Sequence, residues 1–358
     1  MPAMSTTKRL RELGLSVGVL PTGPSNLITD VPGVRVGHCD VRGGPIAPGR
    51  PPVHSGVSVI LPGRANRVAV PLPAAVDVFN GYGKSAGILQ IAELGKLESP
   101  IFLCNTLNVG RVWDAAASII LEQNPEAVTV NPAVFECNDF RFNDSRSRPV
   151  GESHVRAAYA AAQADPVGCP CPLGSVGAGS GTGAFGFKAG IGSSSRAVDT
   201  RTFGRVTVGV LSLNNFGGRL RWQGRQILPA AEQPAAQAGS VIVVIAVSAA
   251  ADSRTLGRLA RRAWAGIARS GSNFGHGSGD IAVAFSLPAS DDIAAAPVEW
   301  NLPDEDLSVL FTAVADATEE SVWDALLLGG EATDIHGRLV RGLSPEALLA
   351  AAKGQQTT

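Results

Sequence analysis

A chain of 358 residues with 45% hydrophobic and 17% charged residues has ample material for a large packed core, which excludes intrinsic disorder. Its 42 Gly and 24 Pro run through the sequence without a three-residue period, so the chain is not collagen-like, although they make up about 18% of it against a usual ~12%. Lys and Arg (30) nearly cancel Asp and Glu (31), and no basic block stands out, so no nucleic acid partner is expected.

From the first residues, Met1 to Arg9 hold no apolar stretch of the signal-peptide kind. The most apolar run, Val241 to Val247, is far short of the ~20 residues that cross a bilayer. The expectation is a cytoplasmic protein without a membrane partner. Five scattered cysteines (Cys39, Cys104, Cys137, Cys169 and Cys171) predict buried free thiols rather than disulfides or a metal site.

Next, Arg9 to Gly14 reads as a short amphipathic turn, followed by turn-rich Pro21–Pro24 and Asp30–Gly33. The β-branched runs Val34–Val36 and Val57–Leu61 predict strands. Val76 to Leu89 stays open between strand and helix, while Leu89, Ile91, Ala92 and Leu94 space a helix within Ser85–Leu94. Pro100–Cys104 predicts a buried strand, and Gly110–Glu122 a helix packing through Val112, Ala115, Ile119 and Ile120. Glycine dominates Gly174–Gly192, and a strand over Val206–Leu213 ends at Asn214-Asn215. Leu228–Gly239 is a linker-like loop, and Val241–Val247 right after it is the strongest strand. Ser253 starts a helix running to Ile267, Ile281–Phe285 is a strand, and Leu307–Leu328 is a last helix turning Leu310, Val314, Ala317, Val322 and Leu326 inward. Strands and helices mix without regular alternation, so two sheet layers enclosed by helices fit better than a doubly wound sheet.

Familiar motifs fail. Gly181-Thr-Gly-Ala-Phe-Gly186 matches G-x-G-x-x-G but follows Cys169–Pro172 rather than a strand, against a dinucleotide site. Gly83-Lys84-Ser85 lacks the leading glycine of a P-loop, because position 78 is Val78. There is no H-E-x-x-H and no G-x-S-x-G, and the five histidines are scattered.

The junction Gly239-Ser240 says more. A hydroxyl there sits between a featureless loop and a buried strand, and the glycine before it admits strained geometry and close approach. If Ser240 attacked its own upstream carbonyl, the new terminus would be a serine whose α-amine, with a pKa of about 7.7–8.0, acts as base to its own hydroxyl. The alternative is a serine that simply starts a strand. Asn215 is either a turn residue or an oxyanion donor. Ser278 and Asp280, two apart before a strand, either relay a proton or belong to an exposed loop. Glu136 follows an apolar stretch and either pairs with a substrate ammonium or is solvated.

Taken together, these segments resemble the L-aminopeptidase/D-amidase-esterases and β-peptidyl aminopeptidases, which are self-processing N-terminal serine hydrolases. The likeness spans nearly the whole chain. It rests on Pro21 to His38, Asn80 to Gly87, Asn105-Thr106-Leu107, Glu136 to Asp139, Gly177 to Arg196, Gly209 to Gly217, Gly239-Ser240 and Ser278-Gly279-Asp280. The resemblance implies an α+β fold, a single large four-layer αββα sandwich of the N-terminal-nucleophile (Ntn) hydrolase kind over residues 1–358. It also implies autocleavage between Gly239 and Ser240 into subunits 1–239 and 240–358.

Ser240 would be the nucleophile, Asn215 would line the oxyanion hole, and Ser278 and Asp280 would orient the nucleophile's surroundings. Glu136, with Asn138 nearby, would bind the free amine of a short peptide, amide or ester. No cofactor or metal is implied, and a homo-oligomer, commonly a tetramer of two-chain units, is expected. Some members have tyrosine where this chain has Asn138, and some β-peptide-cleaving members have glutamate at position 280, so no α/β or L/D preference is transferred. The alternatives are an acyltransferase of the ornithine acetyltransferase type, which uses threonine as nucleophile, and a non-catalytic binding protein on the same scaffold.

Overall fold

Two β-sheets lie face to face, each covered by helices on its outer side. The computed structural model describes residues 8–63, 67–229, 239–288 and 302–355. The four-stranded sheet runs in the order Val34–Gly43, Val53–Pro62, Ile101–Asn105 and Ala133–Cys137, antiparallel except for its last pair. The six-stranded sheet has the order Lys96–Leu97, Leu72–Gly81, Gly279–Ser286, Ser240–Val247, Gly204–Asn215 and Ile191–Thr200. Its central pair, Ser240–Val247 beside Gly279–Ser286, is parallel and its other pairs are antiparallel.

Strand alternation builds the layers. Ile242, Val244 and Ala246 point between the sheets, where they join Ile60, Leu103, Phe135, Leu211, Ile281 and Phe285. Val241, Val243 and Ile245 face Leu256, Leu259, Ile267, Leu310 and Trp323 of the helices on the other side. A strand buried on both faces reads as a continuous apolar run, which is why Val241–Val247 stood out. The outer face of the four-stranded sheet is covered by Val109–Gln123 and Glu152–Ala164 through Val112, Ala115, Ile119, Val155 and Ala158. Helix, sheet, sheet, helix is the four-layer sandwich expected.

Several boundaries differ from the sequence expectations. Leu72–Gly81 is a strand, which settles the open segment after Val76, and the helix that follows spans only Ile88–Leu94. The expected helix from Ser253 is two helices, Ser253–Ala260 and Ala263–Ser270. Between them Arg262 N–H bonds three residues back to Leu259, tightening the turn. Asp252, not Ser253, is its N-cap, accepting from Thr255 N–H at 2.8 Å.

Two elements carried too little apolar signal to predict. Glu152–Ala164 packs mainly through small alanines, and Ile191–Thr200 contains three consecutive serines. Those hydroxyls are spent internally: Ser193 Oγ donates to Val210 O, Ser194 Oγ to Ala317 O and Ser195 Oγ to Asp30. Gly192 is needed where that strand meets the helix Asp304–Leu327, because a Cβ would lie 1.7 Å from Ser321 O. Of the cysteines, Cys104, Cys137 and Cys171 are buried thiols, while Cys39 and Cys169 are partly exposed. Apart from its ends, the linker-like Leu228–Gly239 lies outside the described residues. Among the described residues no helix is long and apolar enough to cross a membrane.

Candidate active site

The start of strand Ser240–Val247 opens on a cavity of about 250 Å3, lined among others by Tyr82, Lys84, Thr106, Glu136, Asn138, Arg141, Asn215, Gly239 and Ser240. Glu136 comes from the four-stranded sheet, whereas Ser240 and Asn215 come from the six-stranded one. The cavity therefore lies where the two sheets end together. Ser240 shares strand alternation with Ile242 and Val244, so it projects toward the space between the sheets. Two other hollows, of about 200 and 330 Å3, bring none of the predicted site residues together.

Ser240 is directly across from Asn215 on one side and Gly279 on the other. Its Oγ donates to Gly239 O at 2.7 Å, and that carbonyl also accepts from Gly279 N–H at 3.1 Å. A carbonyl with two donors is polarised toward attack at its carbon. Gly239 does not have the left-handed backbone that strain would require. Its need is close approach, since a Cβ would lie 2.3 Å from Asn215 O and 2.5 Å from Phe216 Cα. Asn215 Oδ1 accepts from Gly183 N–H at 3.3 Å, which orients the side-chain amide. Gly183 belongs to the G-x-G-x-x-G run, so that glycine segment forms cavity wall.

Glu136 is buried, and its Oε1 accepts from Lys84 N–H at 2.8 Å while its Oε2 accepts from Thr106 Oγ1. Each oxygen keeps a further lone pair for a cation. Behind it, Asp139 Oδ2 accepts from Asn105 at 3.1 Å and Asn143 at 3.0 Å, and Asn105 Oδ1 caps Asn108 N–H. Burial pushes the Asp139 carboxyl up to about 6 despite these bonds. This buried network fixes the segments that present Thr106 and Glu136. Asn138 is exposed at the cavity, its Oδ1 turned to Phe140 N–H at 2.9 Å.

Ser278 and Asp280 are buried rather than in an exposed loop, and Ser278 Oγ donates to Asp280 Oδ1 at 2.7 Å. Asp280 pairs with Val241, one position along from Ser240. Burial raises its carboxyl above the ordinary range, opposed by hydrogen bonds from Ser278, Asn80 and Val241 N–H. Gly277 lines the cavity, while Ser278 and Asp280 are not part of its wall. Glu136, Asn138, Asn215, Gly239 and Ser240 thus converge directly, and the Ser278–Asp280 pair is joined to them through the strand beside Ser240.

Sequence reasoning did not single out Thr106, Asn80 or the backbone of Lys84. All three lie within the Asn80–Gly87 and Asn105–Leu107 segments that carried the resemblance. Asn80 Nδ2 donates to Asp280 Oδ2 at 2.8 Å. Gly279 allows Gly83 to approach so closely that a Cβ would lie 2.7 Å from Gly83 N.

A four-layer sandwich with a serine opening a central strand, facing a buried glutamate across one cavity, defines an Ntn-type hydrolase. The chain belongs to peptidase family S58, which matches residues 26–340. It is similar to the β-peptidyl aminopeptidase BapA of Sphingosinicella microcystinivorans, 34% identical over 371 residues covering 96% of this chain and 91% of that protein. Among solved structures, a Pyrococcus horikoshii OT3 protein matches with a TM-score of 0.86 and 38% identity, covering 98% of this chain and 100% of that one. The L-aminopeptidase D-Ala-esterase/amidase of Ochrobactrum anthropi, described as a prototype for the serine aminopeptidases and a variant of the Ntn hydrolase fold, matches with a TM-score of 0.83. It is 32% identical, covering 97% of this chain and 98% of that one. The protein is accordingly a peptidase of the serine aminopeptidase/amidase kind, and neither the acyltransferase nor the non-catalytic alternative is favoured.

Proposed function

We propose that the chain cleaves itself between Gly239 and Ser240, and that the freed Ser240 is the nucleophile of an aminopeptidase/amidase acting on short peptides, amides or esters with a free N-terminus. The observation that carries this reading is the meeting of Ser240, Gly239, Asn215 and Glu136 at one cavity. In the first step Ser240 Oγ attacks the Gly239 carbonyl carbon, with Gly279 N–H supporting the developing oxyanion. The Gly239–Ser240 C–N bond breaks to an ester on Oγ as the hydroxyl proton passes to the departing Ser240 nitrogen, and water hydrolyses that ester to a Gly239 carboxylate and regenerates the Ser240 hydroxyl beside its free α-amine.

In turnover, the substrate ammonium docks on Glu136. Ser240 Oγ attacks the substrate carbonyl while its own α-amine takes the proton, and Asn215 with neighbouring N–H groups stabilises the oxyanion. The amine returns the proton to the leaving group, and water then releases the acyl group from Oγ. Ser278 and Asp280 hold the surroundings of that amine. A cytoplasmic location is in keeping with unpaired cysteines. A homo-oligomer, tetrameric by resemblance, is in keeping with the exposed apolar side chains of Phe79, Tyr82, Leu89 and Leu94.

The test is a panel of p-nitroanilides of L-Ala, D-Ala and β-Ala with wild type and Ser240→Ala. Release of p-nitroaniline by the wild type from at least one member, and none by the variant, is expected. Equal turnover by the Ser240→Ala variant would overturn the assignment.

A further inference from the structure

The charges of the cavity wall do not balance. Among the described residues its only carboxylate is Glu136, and its cations are Lys84 and Arg141. Arg141 has the pull of the Asp334 carboxylate upon it. Lys84 makes no ion pair among the described residues. Its Nζ donates to Tyr82 O at 2.6 Å and lies 4.2 Å from the centre of the Tyr82 ring. A carbonyl dipole and a π-face hold that ammonium in place without neutralising it. Of its three donors one is in use, which leaves two for a ligand. An amine docked on Glu136 takes up the one negative charge of the wall, and the charge of Lys84 stays unanswered.

Lys84 stands on the amine side of the cavity. Its own N–H donates to Glu136 Oε1 at 2.8 Å, and its side chain folds back onto the residue two before it. One glycine separates Tyr82 O from Lys84 N, so Nζ and Oε1 are no more than about 11 Å apart. A carboxylate on the ammonium-bearing carbon of a ligand, with each charge about 2.8 Å from its partner, needs at most about 9 Å. Gly83 keeps the space next to Oε1 open. A Cβ there would meet nothing nearer than Oε1 itself at 3.4 Å, and its φ is not left-handed. Neither a clash nor the backbone conformation therefore calls for glycine at that position.

We propose that Lys84 binds a carboxylate carried on the same carbon as the substrate ammonium, so that the preferred substrates begin with a β-aspartyl residue. This inference rests on the proposed function and names the substrate class of that same site. In a β-aspartyl residue the free ammonium and carboxylate share one carbon, and the scissile carbonyl lies one carbon further on. Glu136 takes the ammonium and Lys84 the carboxylate. The reaction is unchanged, the acyl group passing to Ser240 Oγ and then to water. Because Lys84 is exposed, water and salt screen the pair and its effect is modest.

Three p-nitroanilides that differ only at the amine-bearing carbon test this: β-alanyl with hydrogen, 3-aminobutyryl with methyl and L-β-aspartyl with carboxylate, the last two of matching configuration. They are compared at low salt on cleaved wild type, Lys84→Gln and Lys84→Arg, with L-Ala p-nitroanilide as reference. For the wild type, kcat/KM of the β-aspartyl substrate should exceed that of the methyl one by about five-fold, carried by KM, and the excess should shrink in about 0.5 M salt. The ratio should fall to about one or below in Lys84→Gln and recover in part in Lys84→Arg. Equal or poorer use of the carboxylate by the wild type overturns the proposal, and so does a preference that survives in Lys84→Gln. Turnover of L-Ala p-nitroanilide without a carboxylate preference sinks this inference alone, whereas no turnover of any of the four sinks the function and the inference with it.

Discussion

Two polar clusters among the described residues are built on opposite terms. In one, Arg196 and Glu320 are wholly buried and joined at 2.7 Å, and Glu320 also receives Arg11 at 2.7 Å and Asn26 at 2.6 Å. Arg9 and the Leu10 N–H hold Asp324 beside it. Burial pushes Glu320 upward, yet Arg196 and Arg11 reverse this and keep its carboxyl below the ordinary range. That cluster clasps the N-terminal segment to the helix Asp304–Leu327, and Arg196 leaves only its Nε without a partner among the described residues. In the other cluster Ser240, Asn215 and Glu136 border open space, and Glu136 has lone pairs to spare. Mutually satisfied polar groups fix the fold. Polar groups with unused capacity around a cavity are where a ligand can bind.

Predictions that break this contrast range from total loss of turnover to a shift in pH dependence. Ser240→Ala should lower kcat by more than about 10⁴-fold, while urea unfolding of the uncleaved variant shows a folded protein. Glu320→Gln does the converse. Leaving the Arg196 charge unpaired should cost about 3–5 kcal/mol, seen as an earlier urea midpoint, with kcat per folded molecule retained. Asn215→Ala should reduce kcat by about 10²–10³-fold with an unfolding midpoint close to wild type. A large stability loss there would mean that Asn215 belongs with the clasp. Glu136→Gln should act mainly on KM for substrates with a free amine, raising it about ten-fold or more for a lost charge-assisted bond, and spare their N-acetylated analogues.

The smallest effect sharpens the structural side. Lys188 is wholly buried, its Nζ donating to Gly179 O and Ala189 O, and burial pulls its ammonium down to about 7. Its native pKa thus lies below the unfolded value of 10.5. Between the two the unfolded chain holds a proton that the native state lacks, so stability rises with pH from about 7 toward 10. Urea unfolding at pH 7 and pH 9 should show that rise in wild type and a flatter response in Lys188→Met.

How far the sequence disclosed all this differed by element. Val241–Val247 was plain because both of its faces are packed, and that run placed Ser240 at a strand start. Ile191–Thr200 was hidden because its serines bond to two backbone carbonyls and the Asp30 carboxylate instead of alternating with apolar residues. The same limit applied at the site. Nothing in the spacing of Thr106 and Glu136, or of Asn80 and Asp280, announces their contacts, because each pair joins distant segments through the fold. The family resemblance supplied the roles of Ser240, Asn215, Ser278, Asp280 and Glu136. The structure added that Ser278 and Asp280 bond each other beside the cavity, and that the requirement for Gly239 is close packing rather than a strained φ.

The central claim is that Ser240 is made into a chain terminus by its own attack on Gly239. Intact mass and N-terminal sequencing of the purified wild type and Ser240→Ala test it most directly. The account predicts a wild type of two fragments, the second of 119 residues beginning with Ser240, and a variant that stays one chain. A fully active wild type that remains a single 358-residue chain would contradict it.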